Sequence, residues 1–145
     1  MSAPPLKAFG MTIDAPITPL HTYGFSKEEK LKSRLEEAIG EPLTKTALRF
    51  AQMDFLGDTH HVELKSRRAP VLPETYDTWL LPVSKVPRKV TGIDTIYFYH
   101  FEADDSLWFM YYDATLFNTF KREVPVWHPT GQEHFYIPKK EWSKV

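Results

Sequence analysis

With 145 residues, 42% of them hydrophobic and 14% aromatic, the chain is long enough to bury one core without staples, and it predicts a single domain over 1–145. The absence of cysteine excludes disulfides, thiolate metal sites and cysteine nucleophiles. A formal net charge of -1 excludes a globally basic nucleic-acid binder, so any polyanion site must rest on local clusters.

No apolar run reaches the roughly 20 residues of a membrane span, and the N-terminus has no signal-peptide core, so an intracellular protein without a membrane partner is expected. Residues 1–25 carry Pro4, Pro5, Pro16 and Pro19 and read as an extended arm. A helix is predicted from Ser26, where Ser26 and Glu29 form a capping box, to the stop at Gly40. Its apolar stripe is Leu31, Leu35, Ala38 and Ile39. Winding at about 100° per residue brings Glu28 within about 35° of the stripe centre, while Glu36 and Glu37 fall more than about 110° away. Glu28 is therefore the carboxylate aimed at the sheet; the alternative is a helix-start glutamate favoured by the macrodipole.

Residues 44–56 and 60–67 read as two strands joined by a tight turn at Gly57-Asp58. In the second strand Val62 and Leu64 alternate with Glu63 and Lys65, putting the apolar and charged pairs on opposite faces. A two-residue loop, whether Gly57-Asp58 or Asp58-Thr59, lands Asp54 on the face of Glu63 and Lys65; a three-residue loop sends it to the face of Val62. On the even loop, two carboxylates and an ammonium converge, which is the donor set of a divalent-metal site with a lysine beside it. His60 and His61 are neighbours in a strand and point to opposite faces, so a shared zinc is excluded, although His61 falls on the face of Glu63.

From Glu74 the chain reads as extended through Leu81, then as a short helix from about Pro82 or Ser84 to Val90 that carries Lys85, Arg88 and Lys89. With Arg67 and Arg68 these make the locally basic region, which would line a groove for phosphates or else form ordinary solvated surface. Thr95–Phe101 and Leu107–Tyr112 form a hairpin, aromatic on both faces as central strands are. A short helix is expected within Asp113–Phe120 and a last strand at Phe135–Ile137, with Pro138–Val145 as a basic, loosely held tail. The fold class expected is α+β, a mixed sheet sandwiched by helices.

A helix with an inward Glu, then a hairpin carrying Asp…Glu-x-Lys nine residues apart, then a helix and further strands, resembles the PD-(D/E)XK nuclease superfamily over residues 26–113. Within that superfamily the run Val-Glu-Leu-Lys-Ser-Arg, with Tyr76-Asp77-Thr78 and Ser84-Lys85 behind it, looks like small phage and large-DNA-virus members. The resemblance implies a restriction-endonuclease-like αββαβ core, with 114–145 as an added helix, strand and tail. It implies that Asp54 and Glu63 bind the metal, that Lys65 is the catalytic lysine, and that Glu28 is the helix glutamate serving a second metal or a metal-bound water. Ser84-Lys85 would be an auxiliary position. Met53 stands where the family name expects proline.

The implied activity is Mg²⁺- or Mn²⁺-dependent hydrolysis of phosphodiesters in DNA by a homodimeric endonuclease. Junction resolution, repair or replication-associated trimming and restriction are all compatible, and the small size fits a structure-selective or accessory enzyme better than a restriction enzyme. The all-oxygen donor set suits such hard cations. The alternative is a catalytically inactive nuclease fold that binds nucleic acid or protein. A third reading, an unrelated α+β structural protein of a virus particle, makes the motif coincidental.

Overall fold

The computed structural model describes residues 30–46, 52–88, 91–128 and 131–145. The chain divides into two compact units, Met1–Leu31 and Lys32–Val145, and both sheets lie in the second. The arm over 1–25, the Ser26 capping box, Glu28 and Lys89 lie outside the described residues.

The protein is mixed α/β and dominated by strands, with one mixed six-stranded sheet. Helix α1 is described over 30–39 and ends at Gly40, whose φ of +78° is the left-handed stop that glycine accepts at no steric cost. The Gly40 N–H closes back on the Glu36 carbonyl at 2.8 Å. Leu35 is fully buried as the stripe predicts, whereas Ala38 is exposed. Arg34 of this helix donates to the Asp105 carboxylate at 2.9 Å and to its carbonyl at 3.2 Å.

The strands follow as β1 (Thr44–Lys45), β2 (Phe55–Leu56), β3 (His60–Arg67), β4 (Thr78–Pro82), β5 (Asp94–Phe101) and β6 (Ser106–Tyr111). After them come α2 (Ala114–Phe117), β7 (Lys121–Glu123), β8 (His134–Pro138) and β9 (Ser143–Lys144). The large sheet runs β1-β2-β3-β5-β6-β9, antiparallel except for the parallel β3–β5 pair, and the small sheet runs β4-β8-β7. The long parallel ladder pairs Glu63 with Tyr97, Lys65 with Tyr99 and Arg67 with Phe101, so these six residues share one face. Tyr97, Tyr99 and Phe101 belong to a buried cluster with Trp79 and Leu81 of β4, Phe135 and Ile137 of β8, and Phe117 of α2. Among the described residues, the face that carries Glu63 is thus covered by a three-stranded sheet and the short α2, not by a long helix. Pro82 and Pro87 explain why: a proline inside a helix removes a hydrogen bond and clashes one turn back, so only a 3-10 turn forms, at Val83–Lys85. Alternate residues Val62, Leu64, Ile96, Phe98 and Leu107 are buried on the other face.

The hairpin loop is even. Leu56 pairs with His61, and the Gly57 N–H donates to the His60 carbonyl at 2.7 Å, leaving Asp58-Thr59 as the two-residue loop. Gly57 has no positive φ; its role is room. A Cβ there would overlap the Glu41 carboxylate, which accepts from the Thr59 N–H at 3.2 Å and meets His60 Nδ1 at 2.9 Å. Gly57→Ala is expected to displace the Glu41 carboxylate from Thr59 and His60 and cost about 1 kcal/mol in urea unfolding.

The tail corrects the sequence reading. Residues 138–145 are not loose: a 3-10 turn at Lys139–Glu141 swings the chain so that β9 pairs with β6, Trp108 with Lys144 and Phe109 with Ser143. Trp142 is 4% exposed and packs on Trp79 and Tyr99 at ring-centroid distances of 5.4 Å and 5.2 Å. Three lysines, a glutamate and a serine around one tryptophan hid an edge strand. Trp142→Ala is expected to lower unfolding stability by about 3 kcal/mol. Trp142→Phe should cost much less, because the indole N–H has no hydrogen-bond partner to lose.

Candidate active site

Four charged side chains from three segments converge at one end of the interlayer core. Asp54 comes first in the chain. Its N–H donates to the Val62 carbonyl at 2.9 Å although Val62 is the register partner of Phe55, so two residues of one strand oppose one of the other. This is the arrangement of a β-bulge, a device that re-aims a side chain. Thr46 holds it, donating its N–H to the Asp54 carbonyl at 2.9 Å and its hydroxyl to the Met53 carbonyl at 3.0 Å. The Asp54 side chain turns across the ladder, and its Oδ2 accepts the Leu64 N–H at 2.9 Å.

Glu63 projects from the middle of β3 into the space between the two sheets and is only 3% exposed. Lys65 Nζ stands 3.8 Å from its Oε2 and Lys85 Nζ 3.4 Å from its Oε1. The Lys85 contact lacks hydrogen-bond geometry, so Oε1 is a buried oxygen without a hydrogen bond. Burial, with the nearby Asp54 charge, pushes the Glu63 carboxyl up to about 8, against the downward pull of Lys65 and Lys85. Lys65 keeps a third of its surface in solvent, whereas Lys85 is tethered: its ammonium donates to the Gln52 carbonyl at 2.8 Å. Gln52 in turn donates its side-chain amide to the Ser84 and Val86 carbonyls at 3.0 Å and 2.8 Å, fixing the turn that carries Lys85. Tyr97 hydroxyl closes the cage from below, donating to the Lys85 carbonyl at 2.8 Å.

The predicted residues are thus distributed unevenly. Asp54, Glu63, Lys65 and Lys85 come together; Glu28 and Lys89 lie outside the described residues; Arg68 and Arg88 are exposed. Arg67 shares the face of Glu63 but turns to Tyr76, its guanidinium 5.5 Å from the ring centroid, beside a small cleft lined also by Thr78, Trp79 and Tyr99. His61 pairs across to Leu56 and Thr95. Lys85 belongs with the acidic pair more than with a phosphate groove. Its position was not readable from spacing, because it depends on a non-local pairing of β4 with β8.

His134 was missed altogether. It opens β8 opposite Pro82, donates Nδ1–H to the Gln132 carbonyl at 2.9 Å, and lies near enough to Lys65 to feel its charge. Burial first, then the His128 and Lys65 charges, hold its imidazole below the ordinary histidine value. A histidine beginning an apolar strand carries no spacing signal that would have found it.

The donor chemistry suits a hard divalent cation. Two carboxylates lie near enough for the charge of Asp54 to act on Glu63, and the buried Glu63 Oε1 has no hydrogen bond to give up. Asp54 and Glu63 would hold such an ion. No group of three or more His, Cys, Asp or Glu side chains placed to hold a metal is found among the described residues, and Glu28 is not one of them. No helix among the described residues is long and apolar enough to cross a membrane. Comparison with protein families, with curated proteins and with solved structures returns no match.

Proposed function

We propose that the protein is a metal-dependent nuclease of the PD-(D/E)XK kind, hydrolysing phosphodiester bonds in DNA with Asp54, Glu63 and Lys65. One observation carries the reading: a buried glutamate, an aspartate whose charge acts on it, and a lysine two residues on that is a third exposed share one site on the sheet. The αββαβ core of that superfamily is part of the proposal, with β2 and β3 as its hairpin, β5 as its last strand and the 3-10 turn at Val83–Lys85 standing where its second helix would be.

When bound, a Mg²⁺ or Mn²⁺ ion supplies neutralisation of phosphate charge and acidifies water. The chain does the rest. Asp54 and Glu63 present the carboxylate oxygens, and the Leu64 N–H holds the Asp54 oxygen that faces the ladder. Lys65, with its ammonium at the solvent margin, stabilises the negative charge that builds on the phosphate oxygens or orients the attacking water. Lys85, 3.4 Å from Glu63 Oε1, places a second positive charge beside the carboxylate when it is ionised. Glu28 would add a further carboxylate. Since one site cuts one strand, duplex cleavage calls for a homodimer.

A second reading has its own support. Lys85 sits at ion-pair distance from Glu63 and is pinned by the Gln52 carbonyl, which is how an inactive nuclease fold would hold a substitute cation permanently. The test is to incubate the protein with branched, single-stranded and duplex DNA in Mg²⁺ or Mn²⁺, beside EDTA and Lys65→Ala controls. Cleavage that needs the metal and Lys65 is the expected result. Salt-sensitive binding with no cleavage of any of the three substrates would transfer the conclusion to the inactive binding module.

A further inference from the structure

A shelf of exposed aromatic surface stands beside the charged cluster. Trp127 is 62% exposed, in a protein whose Trp79 and Trp142 are buried and whose Trp108 is half-buried. Its indole is centred 5.7 Å from the His128 ring and 6.2 Å from the His134 ring, and the two imidazoles are 5.0 Å apart. Burying one side of a tryptophan on two rings orients the other side to solvent at little entropic cost, since few torsions remain to be fixed.

The shelf is fastened to the site by hydrogen bonds. The Gln132 side-chain amide donates to Ser84 Oγ at 3.0 Å, and the Val83 N–H donates to the Glu133 carbonyl at 3.0 Å, tying the segment that follows Trp127 to the turn that carries Lys85. At its inner end His134 lies within reach of the Lys65 charge. His134 therefore links the two, with the Trp127 ring 6.2 Å away on one side and the Lys65 charge on the other.

We infer that Trp127 is a stacking platform for an unpaired base of the polynucleotide whose phosphate is delivered to Lys65, which makes single-stranded or locally splayed DNA the substrate class. The inference rests on the nuclease-fold reading of the Asp54, Glu63 and Lys65 site and narrows it. The chemistry follows from both halves of a nucleotide: every base has a face that stacks on indole, and its phosphate needs a cation close by. A base inside an intact duplex has both faces covered by its neighbours and cannot offer one to Trp127.

The test uses the full chain in EDTA, with a dye-free oligothymidylate and a hairpin duplex of equal length as probes. Oligothymidylate should quench the tryptophan emission, and the hairpin should quench it much less, because Trp127 is the tryptophan most open to contact. Trp127→Ala should lose the quench and bind the single strand about tenfold more weakly, while Trp127→Phe keeps most of the affinity. Trp127 packs on the surface, so both variants are expected to fold, and circular dichroism checks it. Equal single-strand affinity in Trp127→Ala and wild type, alongside metal-dependent cleavage by wild type, would overturn the stacking role alone. Absence of both binding and cleavage with every DNA would overturn the stacking role and the nuclease reading together.

Discussion

Lys65→Ala is expected to lower metal-dependent cleavage by about 10²- to 10³-fold, measured as single-turnover rate at saturating protein, with unfolding stability changed little. The magnitude is that of removing one preorganised cationic or hydrogen-bonding group from a site where transition-state charge develops. The side chain is suited to such a change. A third of it is in solvent, it is not part of the buried cluster, and its nearest charged neighbour, Glu63 Oε2 at 3.8 Å, is beyond hydrogen-bond reach. Lys85→Ala is the informative comparison. Its ammonium donates to the Gln52 carbonyl and stands 3.4 Å from Glu63 Oε1, so its removal leaves that carbonyl without its donor and opens a gap beside a buried polar oxygen. The two lysines should therefore separate: Lys65→Ala loses rate while stability holds, and Lys85→Ala loses stability. If Lys65→Ala cleaves as wild type does, the ammonium that matters chemically is not the one in the Glu-x-Lys motif, and the proposed assignment fails.

The contrast between these lysines also marks how far residue order alone reaches. Alternation along His60–Arg67 is a local property, and it put Glu63 and Lys65 on one face correctly, with Val62 and Leu64 on the other. The even hairpin loop was a conditional expectation, and the Leu56–His61 register meets it through Asp58-Thr59. The bulge at Asp54 was not legible, because an extra residue in a strand leaves the sequence pattern unchanged and is visible only in which carbonyl accepts the N–H. Central burial of β5 was legible, since Ile-Tyr-Phe-Tyr-His-Phe is apolar on both faces and every one of those six residues is buried. Of the small sheet, the extended run to Leu81 and the strand at Phe135–Ile137 were legible, but their pairing was not. Its strands β4, β7 and β8 are three to five residues long and far apart in the chain, and their pairing is decided by contacts such as Trp79 on Phe101 at 4.8 Å. Of what that sheet positions, Lys85 was singled out through the resemblance as an auxiliary position, whereas its pairing with Glu63, His134 near Lys65 and Trp127 on its imidazoles were not legible.

The second large effect concerns Glu63 as a buried acid. Its carboxyl titrates near 8 in the folded protein and at the ordinary glutamate value of 4.5 when exposed. Between those values the folded state binds a proton that the unfolded state has released, so this group makes stability fall as pH rises. The change begins above the unfolded value and is complete once the folded carboxyl has ionised. It amounts to an order of 5 kcal/mol across the window, of which about 3 kcal/mol falls between pH 6 and pH 9. Glu63→Gln removes the titration while keeping the shape of the neutral acid. In EDTA, wild type is expected to lose that stability between pH 6 and pH 9 in urea unfolding, and Glu63→Gln is expected to lose much less over the same interval. The two should be nearly equal at pH 6 and diverge in favour of the variant at pH 9. Parallel curves for the two proteins would mean that Lys65 and Lys85, at 3.8 Å and 3.4 Å, outweigh burial and the Asp54 charge and keep Glu63 ionised throughout. In that case Glu63→Gln would be destabilising even at pH 6, since it would strip the counter-charge from two ammonium groups at once.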